Sequence, residues 1–309
     1  MKVLVSGATG FVGREVVQQL HDAGHEIHFL TRRTTSASAR AVEWGFDGQV
    51  HFGDVLDAQS LFEATKGLDA VIHLVGIISE TGRNTFENVH TRGTQNVVTA
   101  AKQSGLRRFG HMSALGTRPD ARSRYHQSKW AAEEIVRRSG LDFTIFRPSI
   151  IYGPGDQFVN LFAKIIRRSP IVPLIGGGRT RFQPVPVENV AAAFVKALTE
   201  PRAVGQTFDL CGTETLSLSE MVDAILVVMK RRRLKVHIPF PLARAQAAFL
   251  EFVFRHLVHQ FHKAPPLSRD QLIMLQEDNV GDAKPAMELF DLKPVKFVEG
   301  IGRYMARAG

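Results

Sequence analysis

Tyr125 and Lys129, in the stretch YHQSK, stand four residues apart, a phenol and an ammonium at what reads as the start of a helix. Residues at that spacing share one helical face, with Cβ atoms about 5–6 Å apart, so a single ligand can meet both groups. The chemistry open to them is proton transfer. A phenol with the ordinary pKa of about 10 is protonated at neutral pH, and a neighbouring cation favours its ionised form. A solvated surface pair has the same spacing, so the elements that carry these residues must decide.

A second constellation lies at the amino end. VLVSGATGFVGREVV places Gly7, Gly10 and Gly13 between an apolar β-branched run and an amphipathic one. Glycines there permit a tight turn, let backbone approach a pyrophosphate, and pack a helix on its strand. The helix N-terminus adds free N–H groups and a positive dipole end. Thr9, Phe11 and Val12 fill the rest of this loop, and the expected ligand is a dinucleotide. The next strand ends HFLTRR, where an NAD site commonly carries an acid for the ribose hydroxyls. Thr31, Arg32 and Arg33 stand there instead. A guanidinium binds a 2′-phosphate that a carboxylate repels. The expectation is therefore NADP(H) rather than NAD(H), with Arg32 the first candidate and Arg33 the second. Asp54, closing a third strand in HFGDV, is placed either to meet the adenine or to cap the following helix.

These groups need a scaffold. KVLVSG, EIHFLTR, VHFGD, AVIHLVG, RRFGHMSA and DFTIFRP read as strands, separated by amphipathic segments such as Gly13–Ala23 and Thr94–Ser104. The β-α-β-α alternation predicts a parallel sheet covered on both faces, a Rossmann-type doubly wound α/β fold. After Pro148 prolines and glycines crowd together in YGPGDQ, SPIVPLIGGG and PVPVENV. Residues 1–152 are thus expected to form the nucleotide-binding domain and 153–309 a smaller C-terminal substrate domain, with 182–212 returning to the first. Ser217 and Glu220 form a predicted capping box for a late helix.

Bulk properties narrow the classes. The single cysteine, Cys211, excludes an internal disulfide. MKVLVSGATG enters a strand at once, without a signal-peptide pattern, and no apolar run reaches the ~20 residues of a membrane-spanning helix. A cytoplasmic location is the expectation. The net charge of +9 favours anionic partners. Much of it lies in 230–263, where eight basic side chains face one acid, Glu251. Phe249, Phe252, Val253, Leu257 and Phe261 recur there at helical spacing, which fits either core packing or peripheral association with an anionic membrane. No nucleic-acid-reading motif accompanies the charge.

In their order along the chain, GATGFVG, GDV, HLVG, ENVHTRGTQNVVTAA, MSALG, YHQSK and RPSIIYGPGD resemble the extended and atypical branches of the short-chain dehydrogenase/reductase superfamily. Further stretches, from FRPSIIYGPGDQFVNLFA through PLIGGGRTRFQPVPVENVA to APPLSRDQLIMLQEDNV, look like bacterial relatives of the nucleotide-binding accessory subunit of respiratory complex I. Such relatives are grouped in the NAD-dependent epimerase/dehydratase family. The resemblance implies that Tyr125 is the general acid/base, that Lys129 holds the nicotinamide ribose and lowers the phenol pKa, and that Ser113 binds the substrate carbonyl or hydroxyl. It extends the nucleotide contacts to Val55, Leu74, Val75, Gly76 and Pro148.

One departure bears on the substrate. The segment ALGTRPDARSR between Ser113 and Tyr125 is short for sugar-nucleotide epimerases. That puts a classical sugar-nucleotide substrate in doubt, while membrane association through 230–263 would suit a lipophilic or quinone-related small molecule. Arg118, Arg122 and Arg124 read as a solvated loop or a pocket border, and Arg147 and Arg181 are candidates for an anionic substrate group. The leading reading is an oxidoreductase. A non-catalytic NADP(H)-bound accessory or assembly protein and a redox-sensing regulator stand beside it, and oligomeric state is not written in the sequence.

Overall fold

A computed structural model describes residues 1–32, 48–256 and 265–305. The chain opens with β1 (Lys2–Ser6), α1 (Phe11–Asp22), β2 (Glu26–Thr31), β3 (Gly48–Phe52), α2 (Ala58–Thr65) and β4 (Ala70–His73). A π-helical turn, Glu87–Arg92, runs into α3 (Gly93–Gln103), followed by β5 (Arg108–Met112), α4 (Arg124–Arg137) and β6 (Asp142–Pro148). Then come β7 (Ile151–Tyr152), α5 (Val159–Arg168), β8 (Ile171–Ile175), β9 (Arg181–Phe182), β10 (Val185–Pro186), α6 (Val187–Ala197), β11 (Gln206–Leu210) and β12 (Leu216–Ser217). The chain continues through α7 (Leu218–Val228), β13 (Leu234–Ile238), α8 (Phe240–His256), α9 (Arg269–Met274), α10 (Lys284–Leu289) and α11 (Phe297–Met305).

Seven strands form one parallel sheet in the order β11-β6-β5-β4-β1-β2-β3. The order reverses beside β1, the switch point where open α/β sheets bind ligands at the carboxyl ends of their strands. Both faces are covered, which explains strands without polar alternation. On one face Val3, Val5 and Phe146 pack with α1 and α6 through Val16, Val17, Val190 and Phe194. On the other, Leu4, Val71, Phe109 and Ile145 meet Leu61, Val97 and Val136 from α2, α3 and α4. β11, late in the sequence, pairs with β6 from Gln206↔Thr144 to Leu210↔Pro148.

A third core, with Val159, Ile166, Leu174, Met221, Ile225, Phe297 and Ile301, builds the smaller lobe around α5, α7, α11 and the parallel β8–β13 pair. α7 begins with the capping box expected of Ser217 and Glu220. The basic segment is not one helix. Leu234–Ile238 forms β13, and the helix begins at Phe240. Leu257 and Phe261 lie outside the described residues. Among those described, no helix is long and apolar enough to cross a membrane.

Candidate functional site

β1 delivers the chain to the carboxyl edge of the sheet, where Gly7 turns with φ +86°, in the left-handed region. A Cβ on Gly13 would lie 2.2 Å from the Gly7 carbonyl oxygen, so α1 can seat against this loop only through glycine. Gly10 donates its N–H to that carbonyl at 2.9 Å, with Thr9 half-buried in the turn. No side chain caps α1, so its first N–H groups, those of Phe11, Val12 and Gly13, have no side-chain acceptor from the N-cap, the arrangement in which a helix N-terminus can receive an anion.

At the far end of this edge, Thr31 is buried and Arg32 exposed, while Arg33 lies outside the described residues. Asp54 accepts the Leu56 N–H at 3.0 Å and pairs with Arg83 at 3.3 Å. It does not cap the next helix; Asp57 does, accepting from Gln59 and Ser60 N–H. Val55 is buried under α3, its carbonyl held by Asn96. Leu74 and Val75 pass Gly7 closely, their backbone 3.3 Å from where its Cβ would stand. The next residue joins the two halves of the site. A Cβ on Gly76 would come within 3.1 Å of Lys129 Nζ and 3.5 Å of His90 Nε2.

α4 carries Tyr125 and Lys129 on one face. Ser123 caps it by accepting the His126 N–H. The Tyr125 ring is half-buried, edge-on to Phe86, His90 and His126 at centroid distances of 5.8, 5.4 and 5.3 Å. Burial pushes its phenol up to about 12. Lys129 is buried and donates from Nζ to the Met112 carbonyl at 3.0 Å. Burial brings its ammonium down to about 8, against the pull of Glu133. With burial the cause of the phenol's rise, the proton stays on Tyr125 at neutral pH. Ser113, buried at the end of β5, donates its N–H to the Phe146 carbonyl at 2.7 Å and its hydroxyl to Thr117 at 3.4 Å. Pro148, buried at the end of β6, accepts the Leu115 N–H.

Three residues that sequence reasoning did not single out support this group. His90, on the π-helical turn, accepts the Ile77 N–H at Nε2, which fixes the proton on Nδ1 for donation to Ser128 Oγ at 2.8 Å. Ser128 in turn donates to the Tyr125 carbonyl at 2.7 Å. Burial and the Lys129 charge push the imidazole down to about 2, so it stays neutral beside the ammonium. Glu133, with no exposed surface, receives Arg147 bidentately at 2.8 and 2.6 Å and Arg137 at 2.6 Å. Its position, one helical turn beyond Lys129, was the available signal. Asp270 reaches α4 from 145 residues away, and no local pattern announces it.

The remaining candidate arginines are engaged or peripheral. Arg147 is committed to Glu133 and Arg181 to Asp278. Arg118 pairs with Glu277 and Arg124 with Glu80, while Arg122 is exposed.

A glycine loop at the switch point of a seven-stranded parallel sheet, with a buried lysine beside Gly76 and a tyrosine one helical turn before that lysine, defines a dinucleotide-binding protein of the short-chain dehydrogenase/reductase class. Residues 3–211 match the model of the NAD dependent epimerase/dehydratase family, and the chain belongs to that family. Among curated relatives it is 32% identical to NADH dehydrogenase [ubiquinone] 1 alpha subcomplex subunit 9, mitochondrial, of Arabidopsis thaliana, over 94% of this chain and 74% of that protein. It is also 32% identical to a ceramide reductase of Caulobacter vibrioides, over 72% of this chain and 64% of that one. Among solved structures, a dTDP-glucose 4,6-dehydratase from Bacillus anthracis in complex with NAD superposes with a TM-score of 0.76 at 15% identity, covering 99% of this chain and 96% of that one. That last likeness is one of fold.

Proposed function

We propose that this protein is an NADP(H)-dependent reductase of a carbonyl on an apolar small molecule. The observation that carries the proposal is that the segment Leu74–Gly76 passes the glycine loop at Gly7 and meets Lys129 at Gly76, with Tyr125 one helical turn before Lys129. The loop of Gly7, Thr9, Gly10, Phe11, Val12 and Gly13 holds the pyrophosphate, Asp54 and Val55 border the adenine, and Leu74 to Gly76 and Pro148 line the way to the nicotinamide. When bound, the reduced nicotinamide supplies the hydride. Ser113 holds the carbonyl oxygen by a hydrogen bond, Lys129 holds the ribose, and Tyr125 gives its proton to the oxygen as charge develops there. A phenol held protonated suits the reductive direction. The Caulobacter relative, a ceramide reductase, supports a substrate with a long apolar body.

The choice of NADP(H) rests on Arg32, exposed at the end of β2 where an acid would otherwise meet the ribose. A charge-assisted contact to the 2′-phosphate is worth about 1.5–3 kcal/mol. Titration of Arg32→Ala is expected to show NADPH binding weakened about tenfold or more, with NADH binding unchanged. An equal effect on both nucleotides, or none, would sink the assignment.

One observation favours a second role, attachment to an anionic membrane surface as an accessory protein would require. α8 turns its small side chains inward: Ala243 and Ala247 pack with Leu272, while Leu242 and Phe249 stand 62% and 66% exposed. Arg231, Arg232 and Arg244 are exposed nearby in sequence. Exposed Leu242 and Phe249 with exposed cations close in sequence suit shallow burial among anionic headgroups. Co-sedimentation with phosphatidylglycerol vesicles is expected at low salt, lost with phosphatidylcholine vesicles and in a Leu242→Ser/Phe249→Ser variant. A variant that binds as wild type does would remove this role.

A further inference from the structure

The helix that carries Tyr125 is closed from the other lobe. Of the N–H groups at the start of α4, His126 is served by the local cap Ser123. The first two are served by one distant carboxylate: Asp270 Oδ1 accepts from Arg124 N–H at 2.8 Å and Oδ2 from Tyr125 N–H at 3.1 Å. A carboxylate here is doubly favoured, by charge-assisted hydrogen bonds and by the positive end of the helix dipole.

Among the described residues neither oxygen has another hydrogen-bond partner. Asp270 sits in the first turn of α9, but that helix is closed by its own capping box, Ser268 with Gln271. The Arg124 guanidinium, the nearest cation in sequence, goes to Glu80. α9 is anchored behind Asp270 by Leu272, which packs on Ala243 and Ala247. The chain beyond α9 continues along the same edge: Glu277 takes Arg118 at 2.9 Å, and Asn279 receives Ser149 Oγ at 2.6 Å while donating to the Leu115 carbonyl. These contacts fall on the loops that follow β5 and β6, at the mouth of the site.

The Tyr125 backbone is thereby pinned at both polar groups, its N–H by Asp270 and its carbonyl by Ser128. We propose that Asp270 is a positioning residue for Tyr125, so that the smaller lobe, by seating α9, sets the placement of the phenol. The inference rests on the reading of Tyr125 as proton donor only for its effect on turnover; its effect on the placement of the ring stands without it.

The test uses the full chain with Asp270→Asn, which keeps shape but turns one acceptor into a donor facing an N–H. Three readouts are taken with NADPH present: amide hydrogen exchange at Arg124 and Tyr125, the ring carbon NMR signal of Tyr125, and NADPH-dependent reduction of menadione as a carbonyl probe. With only three tyrosines in the chain, the signal is assignable from single Tyr→Phe variants. Exchange at these two amides is expected to accelerate about tenfold or more, the ring signal to move as contact with His90 and Phe86 loosens, and kcat to fall with NADPH affinity unchanged. Glu277→Gln, which weakens only the Arg118 contact, is expected to leave exchange at both amides unchanged.

Unaltered exchange and an unmoved ring signal in Asp270→Asn would overturn the proposal. So would accelerated exchange with kcat at the wild-type value, in an enzyme whose turnover Tyr125→Phe abolishes. If Tyr125→Phe turns over menadione as wild type does, the proton-donor reading fails instead, and the exchange and ring-signal arms decide the role of Asp270 by themselves.

Discussion

Tyr125→Phe is expected to lower kcat/KM for NADPH-dependent carbonyl reduction by about 10²–10⁴-fold, the usual worth of a positioned proton donor, with NADPH affinity unchanged. The separation of the two effects follows from the contacts. What holds the ring is edge-on packing against Phe86, His90 and His126, all of which phenylalanine preserves. What holds the backbone is Asp270 and Ser128, which the substitution does not touch. The hydroxyl makes no hydrogen bond to protein among the described residues, so its removal costs the fold little. Steady-state kinetics on a panel of quinones and apolar ketones, with nucleotide titration beside them, checks this. Turnover that survives the substitution within a small factor would move the protein toward the accessory reading.

The largest effect on stability is expected from Glu133→Ala. Glu133 has no exposed surface and gathers Arg147 from β6 and Arg137 from its own helix, with Lys129 one turn before it. Removing the carboxylate takes from the half-buried Arg147 guanidinium and the buried Lys129 ammonium their nearest counter-charge, while Arg137 keeps its second partner, Glu134. Breaking a buried pair in this way costs about 3–5 kcal/mol, because the stranded charge is not rehydrated. Denaturant unfolding is expected to show a midpoint lowered accordingly, with Glu133→Gln, which keeps volume and one acceptor, falling between. A loss below about 1 kcal/mol, the range of exposed pairs, would show that the cluster is solvated enough not to need its anion.

The parts of this molecule that follow from local physics were legible in the sequence. A run such as VLVSG followed by spaced glycines specifies strand, turn and helix at once, because each requirement falls on adjacent residues. The capping box at Ser217 and Glu220 was readable for the same reason. Asp54 shows where such reading stops: an aspartate before a helix looks like a cap, but Asp57 is the one whose backbone leaves the helix at the right residue. α8 shows a deeper limit. Apolar spacing located a helix but not its inward face, which is made by the small Ala243 and Ala247 packed with Leu272 of α9. Asp270 belongs to the same kind, since its contact exists only after two lobes have met.

The pairing of β11 with β6 imposes an order on synthesis. As the chain leaves the ribosome from its amino end, β6 is complete while its outer neighbour is still untranslated, and Gln206–Leu210 arrives only after the first turns of the smaller lobe. Until then Thr144, Ile145 and Phe146 present an open row of backbone donors and acceptors, the kind of edge on which nascent chains pair with one another. A chain that stalls or is cut after Tyr152 carries that edge into the cell permanently, so such truncations are candidates for chaperone capture and proteolysis rather than for a free-standing nucleotide-binding module.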